Sequence, residues 1–360
     1  MIDIPVRLGP RSYRILVGGG ILGEVGAELA RLKVGRKVAL VTDPSILSLH
    51  GDAVSRSLAH AGFDVTPVLL PEGERAKTLE VAASTWERFL EAGLDRGSTV
   101  VALGGGAVGD LAGFAAATYM RGVNFVQMPT TLLAQVDASI GGKTAIDHPR
   151  AKNLIGAFYQ PRLVISDTAA LLTLPEREYR SGMAEVIKHG IVLDADYFSD
   201  VESAAGALRA REPAALERIV AGSCRLKASV VERDEQEAEL RHVLNYGHTI
   251  GHAIEAITGY QRFAHGEAVS LGIAAEAGIA ERLGVAKPGL RARQLAALDA
   301  LGLPVRGVGE PPERVIEALS RDKKAKDGRV PFILSPEIGA FRLVYDVPRA
   351  TILEAIADLG

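Results

Sequence analysis

A short β-branched and aliphatic run, 99–103, leads straight into Gly104-Gly105-Gly106-Ala107-Val108-Gly109-Asp110, and a helical pattern over 111–119 follows. Few arrangements constrain a fold as tightly. A G-x-G-x-x-G turn between a strand and a helix removes the side chains that would hold a ligand off the backbone, so N–H groups and the helix dipole can meet a diphosphate. Such a turn belongs in a parallel sheet with crossover helices, and the first half of the chain supplies one. Segments 37–42, 64–70, 99–103, 124–128 and 163–166 read as buried strands, and 79–92 places Val81, Thr85, Phe89 and Leu90 at helical spacing. Close packing of strand on helix without a ligand is the alternative reading of the glycines, and the strand and helix that flank them favour the nucleotide. A dinucleotide fold also wants an acidic residue ~20 positions further on, and none stands between Asp110 and Asp137. Asp43, ending the strand 37–42, has the chemistry for a ribose contact, with an N-cap on the helix after Pro44 as its alternative role.

The pattern changes after Leu174-Pro175-Glu176. Strand signals thin out, while 213–231 and 243–283 carry helical periodicity with good helix formers. The chain therefore reads as an α/β N-terminal Rossmann-like domain, 1–175, and a mainly α-helical C-terminal domain, 176–360, with a short extended piece at 329–334. A net charge of −3 gives no bulk electrostatic case for nucleic acid or an anionic membrane. Any anion site must be local. The most apolar stretch, 100–120, is interrupted by five glycines and Asp110, so no membrane-spanning helix is expected. A single cysteine, Cys224, and a start without a secretion signal point to a cytoplasmic protein.

A second glycine pair, in Ser139-Ile140-Gly141-Gly142-Lys143-Thr144, fails as a Walker A loop because Asp137 stands where its first glycine should be. It reads as a flexible turn presenting Lys143 near Asp137, with Lys152 and Asn153 downstream. In the helical half, His248 and His252 stand four apart on one helical face, a spacing that lets two imidazoles share a divalent metal. Thr249 excludes the H-E-x-x-H protease motif. His265-Gly266-Glu267 follows, and Glu185, Lys188 and His189 share an earlier helical segment. Gly182, Gly247, Gly251 and Gly266 beside these histidines permit close approach of elements or ligand. Spacing alone pairs His248 with His252 as ligands.

Together with the glycine turn, several further motifs run in order along the chain: Pro71-Glu72-Gly73-Glu74-Arg75-Ala76-Lys77, Met128-Pro129-Thr130-Thr131, 136–147, Lys152-Asn153-Leu154-Ile155-Gly156, 182–189, 244–255, His265-Gly266-Glu267-Ala268-Val269 and Asp322-Lys323-Lys324. In these the chain closely resembles the 3-dehydroquinate synthase family of sugar-phosphate cyclases. The resemblance implies an enzyme with NAD and Zn2+ or Co2+ as cofactors, a sugar phosphate as substrate, and a homodimer. It implies metal ligands Glu185, His248 and His265, which leaves His252 facing the substrate as a proton-transfer group beside Glu237 and Lys188. NAD contacts carried over by motif are Asp43, Glu72, Gly73, Glu74 and Lys77; then Gly105, Gly106, Asp110, Thr130 and Thr131; then Lys143, Lys152 and the segment Ala170, Leu171, Leu172 and Thr173. Substrate contacts are Arg121, Asp137, Lys143, Asn153 and Lys188, with Lys227, Arg241, Asn245, His252, Lys323 and Lys324.

The implied substrate, 3-deoxy-D-arabino-heptulosonate 7-phosphate, carries a carboxylate and a phosphate, which reconciles an acidic chain with a cationic pocket. The implied reaction is transient oxidation of an alcohol, elimination of phosphate, return of the hydride and intramolecular aldol closure to 3-dehydroquinate. Ala138, Asp147 and Glu239 depart from the family pattern, the last putting an acidic residue at a usual glycine close to Glu237. A cyclase for another sugar phosphate, a metal-dependent polyol dehydrogenase and a non-catalytic scaffold are the rival readings.

Overall fold

The computed structural model describes residues 1–319 and 330–360. These divide into two compact units, one of Met1–Leu174 with Lys227–Gln236, the other of Pro175–Leu226 with Glu237–Gly360. Among the described residues no helix is long and apolar enough to cross a membrane.

The first unit is built on a seven-stranded sheet. Its strands are β1 (Ile2–Val6), β2 (Tyr13–Gly18), β3 (Lys37–Thr42), β4 (Asp64–Leu69), β5 (Thr99–Gly104), β6 (Asn124–Pro129) and, after a separate hairpin, β9 (Leu163–Asp167), in the order β1-β2-β9-β6-β5-β3-β4. All neighbours are parallel except β1 with β2. Successive side chains of a strand point to opposite faces, and the core divides accordingly. Val38, Leu40, Val101 and Leu103 join one apolar cluster, whereas Ala39, Val41, Val100 and Ala102 join another. A sheet buried on both faces needs near-continuous apolar strands, which is what KVALVT and TVVALG provide.

Several expectations are corrected here. The sheet holds two strands beyond the five expected, β1 and β2, and the glycine turn's helix is Gly106–Thr118, beginning five residues before the expected 111. The stretch expected as a flexible turn around Lys143 instead opens a hairpin, β7 (Lys143–His148) with β8 (Ala151–Phe158).

The second unit is helical. Its centre is the helix His265–Arg282, buried continuously from Ala268 to Ala280, with the helices Glu176–Leu193 and His248–Ile257 against it. Glycines set those approaches: a Cβ on Gly272 would lie 1.8 Å from Gly247 O, and one on Gly266 would lie 1.8 Å from Ser181 O. The helical pattern expected over 243–283 is divided into a 3-10 turn, Leu240–Asn245, and the two helices named above. Gly247 and Gly259, at φ +77 and +66, supply the left-handed residues at these breaks. The extended piece expected at 329–334 is a strand over Phe332–Leu334 paired with Arg342–Val344; Arg329 itself lies outside the described residues.

Candidate functional site

The predicted site residues gather in two places, one in each unit. In the first unit the chain adds β4 on one side of β3 and then β5 on the other, so the strand order reverses between β3 and β5. Ligands of open α/β sheets bind beyond the carboxyl ends of strands at such a reversal. Asp43 follows β3 and the glycine turn follows β5, on adjacent strands. Gly105 is the N-cap of Gly106–Thr118 and offers no side-chain cap. A Cβ on Gly104 would sit 2.7 Å from Val108 Cγ2, and one on Gly109 2.5 Å from Gln127 Oε1, so those two glycines serve packing. A Cβ on Gly105 would meet Thr131 Cγ2 at 3.0 Å and one on Gly106 would meet Ala138 at 3.4 Å. This is a cradle that side chains would fill. Beside it, Thr130 Oγ1 is buried without a hydrogen bond, and Thr131 Oγ1 accepts from Ala134 N–H at 3.2 Å.

Around the cradle the charged residues form one network. Lys77 Nζ donates to Asp110 Oδ2 at 2.8 Å and to Asn153 Oδ1, Asn153 N–H donates to Asp147 Oδ1 at 2.7 Å, and Lys152 pairs with Glu74 at 3.3 Å. Burial opposes the charge on Lys77, but the carboxylates of Asp110 and Glu74 outweigh it and push the amine's pKa up; burial also pushes the Asp110 carboxyl up, against the pull of Lys77. Asp147, which departs from the family pattern, thus orients Asn153, held at φ +52. Asp43 does cap the following turn, with Oδ1 accepting from Ile46 N–H at 2.9 Å, and Ser45 bonds Glu72 one residue before Gly73. Ala170 and Leu171 are buried in a 3-10 turn, Leu172 is exposed, and Thr173 Oγ1 meets His50 Nε2 at 3.1 Å.

This unit carries four further predicted substrate contacts, Asp137, Lys227, Lys143 and Arg121. Lys227 Nζ bonds Asp137 Oδ1 and O, both at 2.6 Å. Lys143 is exposed at the start of β7. Arg121 is exposed in a left-handed turn.

In the second unit the residues converge more tightly. Glu185 is fully buried on Glu176–Leu193; its Oε2 accepts from Lys188 Nζ, which also donates to Leu244 O at 2.6 Å. Its Oε1 has no hydrogen bond and faces His248 Nε2 at 3.5 Å and His265 Nε2 at 3.9 Å. An orphaned carboxylate oxygen at zero exposure is costly unless something cationic completes it. The outer nitrogens of both rings are occupied: His248 Nδ1 meets Tyr246 O at 3.1 Å, and His265 Nδ1 meets Glu255 Oε2 at 3.4 Å. Outer partners of this kind fix ring orientation and turn Nε2 inward, as metal-binding imidazoles require. Ligand atoms of Glu185, His248 and His265 all lie within 4.8 Å of one another, and so do those of His252, Glu255 and His265. The donor set suits a divalent metal. His248 and His252 are 5.3 Å apart by ring centroids, but Glu185 falls in a group with His248 and His265.

Near the cluster, Arg241 is buried and Asn245 half-buried on the turn Leu240–Asn245. Glu237 adopts φ +58 while Glu239 is exposed at φ −154, so an acidic residue at 239 carries no left-handed strain. His189 bonds Ser223 Oγ at 2.6 Å in the core. Lys323 and Lys324 lie outside the described residues. Sequence reasoning assigned no role to Glu255, although its spacing of three and seven from His252 and His248 places it on their helical face.

Two family models match the chain in succession, 3-dehydroquinate synthase N-terminal over residues 67–181 and 3-dehydroquinate synthase C-terminal over 182–325. A 3-dehydroquinate synthase of Pelotomaculum thermopropionicum is 53% identical over 94% of this chain and 92% of its own length. Among solved structures, a 2-deoxy-scyllo-inosose synthase complexed with carbaglucose-6-phosphate, NAD+ and Co2+ superposes with a TM-score of 0.90 at 27% identity, over 99% of both chains. The 2-epi-5-epi-valiolone synthase of Streptomyces hygroscopicus subsp. jinggangensis 5008, with NAD+ and Zn2+ bound, gives 0.88 at 27% identity over 100% of this chain and 99% of its own.

Proposed function

The chain belongs to the 3-dehydroquinate synthase family, and we propose that it converts 3-deoxy-D-arabino-heptulosonate 7-phosphate to 3-dehydroquinate and phosphate with NAD and Zn2+ or Co2+ as cofactors, as a cytoplasmic homodimer. The observation that carries the cofactor reading is the buried Glu185 Oε1 facing two inward-turned imidazoles. Glu185, His248 and His265 would hold the metal; the cradle of Gly105 and Gly106, with Asp43, Asp110, Thr130 and Thr131 around it, would hold NAD. When bound, NAD supplies a hydride acceptor that later returns the hydride, and the divalent ion supplies a Lewis acid.

The chain's own residues do the rest. Lys188 is a buried cation fixed by Leu244 O and Glu185, so its charge is in place before negative charge develops on the substrate. His252 stands beside the ligand imidazoles with Glu255 nearby and is the group we assign to moving a proton. Glu237, presented by its left-handed backbone, is assigned as a proton acceptor, and Asn245 as a substrate contact. Lys77 holds Asp110 and Asn153 together, so one ammonium orients a cofactor contact and a substrate contact at once.

A second reading, cyclisation of another sugar phosphate, is favoured by the 0.90 TM-score with 2-deoxy-scyllo-inosose synthase. Arg241 argues for the first reading. We assign this buried guanidinium to reading a substrate carboxylate, a group that 3-deoxy-D-arabino-heptulosonate 7-phosphate carries and glucose 6-phosphate lacks.

Mass balance tests the proposal. Each substrate consumed should give one phosphate and one 3-dehydroquinate, over many turnovers per NAD, with no NADH accumulating. One NADH per turnover would make the protein a dehydrogenase, and faster phosphate release from glucose 6-phosphate or sedoheptulose 7-phosphate would replace the substrate. Replacing Asp110 by Ala should weaken NAD binding on the order of tenfold, the loss of one charged hydrogen-bonding group, and leave metal affinity within about twofold by the same scale. Equal losses of both would place Asp110 in the folding of the chain instead.

A further inference from the structure

Positions 177, 181 and 185 stand four apart on the helix Glu176–Leu193 and therefore share one face. Glu185 brings the orphaned carboxylate oxygen to the cluster. The two positions before it both grip the start of the helix His265–Arg282. Ser181 Oγ accepts from Gly266 N–H at 2.9 Å, and the absent Cβ of Gly266 lets the two backbones touch. Arg177 presents a fork to Glu267, with Nε 3.1 Å from each carboxylate oxygen and Nη2 2.7 Å from Oε2. The same Nη2 donates to Arg262 O at 2.6 Å, and Glu267 Oε2 also accepts from Ala264 N–H at 2.8 Å.

These bonds fix the chain on both sides of His265. Arg262 before it, and Gly266 and Glu267 after it, are pinned to the helix face that carries Glu185, and Glu267 in turn holds Ala264 N–H. None of the bonds touches His265 or Glu185. What they set is the place of one relative to the other.

We propose that Arg177 and Ser181, acting through Glu267 and Gly266, are positioning residues that hold His265 at ligating distance from Glu185 and so set the metal affinity of the site. The inference rests on the reading of Glu185, His248 and His265 as metal ligands. Outer partners that orient ligands typically change metal affinity by about ten- to a hundredfold when removed. A clamp that merely joined two helices would lower thermal stability and leave the affinity of the folded protein unchanged.

The test uses the full chain, stripped of metal and titrated with Zn2+ and Co2+ against a chromogenic chelator. Arg177→Met should weaken both metals about ten- to a hundredfold and alter the visible absorption of the Co2+ form. Arg177→Lys keeps the charge without the planar fork and should recover only part of the affinity. Glu267→Gln keeps an acceptor for Ala264 N–H but loses the ionic clamp; it should lie between the parent and Arg177→Met, and it decides the matter if Arg177→Met does not fold. Affinities within twofold of the parent and an unchanged Co2+ spectrum in the folded variants would overturn the proposal while leaving the metal reading intact. A parent chain that binds neither metal would overturn both.

Discussion

Stripping the protein of divalent metal is expected to lower turnover about a thousandfold, the rate equivalent of roughly 4 kcal/mol of lost Lewis-acid stabilisation, and Zn2+ or Co2+ should restore it. The buried Glu185 oxygen and the two inward-facing imidazoles motivate the expectation. Elemental analysis must accompany the assay. Full activity in protein verified to be metal-free would take the ion out of the reaction. A companion variant separates the histidines. His252→Asn should retain metal while turnover falls by about 10²- to 10⁴-fold, the usual contribution of a positioned proton-transfer group. Stoichiometric loss of metal in that variant would instead make His248 and His252 the ligand pair that their spacing first suggests.

That ambiguity marks the limit of what this sequence discloses about its site. Helical periodicity places His248, His252 and Glu255 on one face because it is a property of one helix. Whether His265 or His252 completes a group with Glu185 depends on how three helices pack, and that packing is written in scattered glycines, Gly247, Gly266 and Gly272, whose meaning emerges only when the opposing backbone is in place. The glycine turn was legible for the opposite reason: strand, turn and helix are contiguous, and the fully buried strand TVVALG has an unmistakable composition. Less of the sheet's edge could be read. β1 contains Pro5 and pairs only with β2, an edge position where proline is tolerated but weakens the strand signal. β8 is mostly exposed and lacks apolar alternation, so the hairpin after Gly141-Gly142 looked like a loop. The break at Gly247 was visible as a residue and hidden as a consequence, since a single glycine inside a helical pattern is tolerated as often as it interrupts.

Arg121 is the other residue whose loss should matter greatly, and its backbone is the reason to look. Met120 and Arg121 both adopt left-handed φ, +50 and +67, ahead of Gly122 at +121. Two successive side-chain-bearing residues in that region cost about 1–2 kcal/mol each, so the surroundings must hold the turn. They do so through Gly122 N–H on Tyr119 O at 2.9 Å, Val123 N–H on Ala116 O at 3.0 Å and the Tyr159 hydroxyl on Val123 O at 2.6 Å. Among the described residues the Arg121 guanidinium makes no ion pair or hydrogen bond. The family resemblance implies that Arg121 reaches the substrate phosphate of the other subunit in a homodimer, and we propose that role for it, a task suited to a planar, permanently charged fork. Arg121→Ala should then cost about 1.5–3 kcal/mol, or ten- to a hundredfold in substrate affinity. Mixed dimers decide where the arginine acts. When an Arg121→Ala chain is combined with a chain inactivated by Lys188→Met, the first chain's site keeps its own Lys188 and receives arginine from its partner. Such hybrids, assayed well below saturation, should regain close to half of parental activity. Hybrids no more active than the mean of the two variant homodimers would confine Arg121 to its own subunit and sink the shared-site proposal.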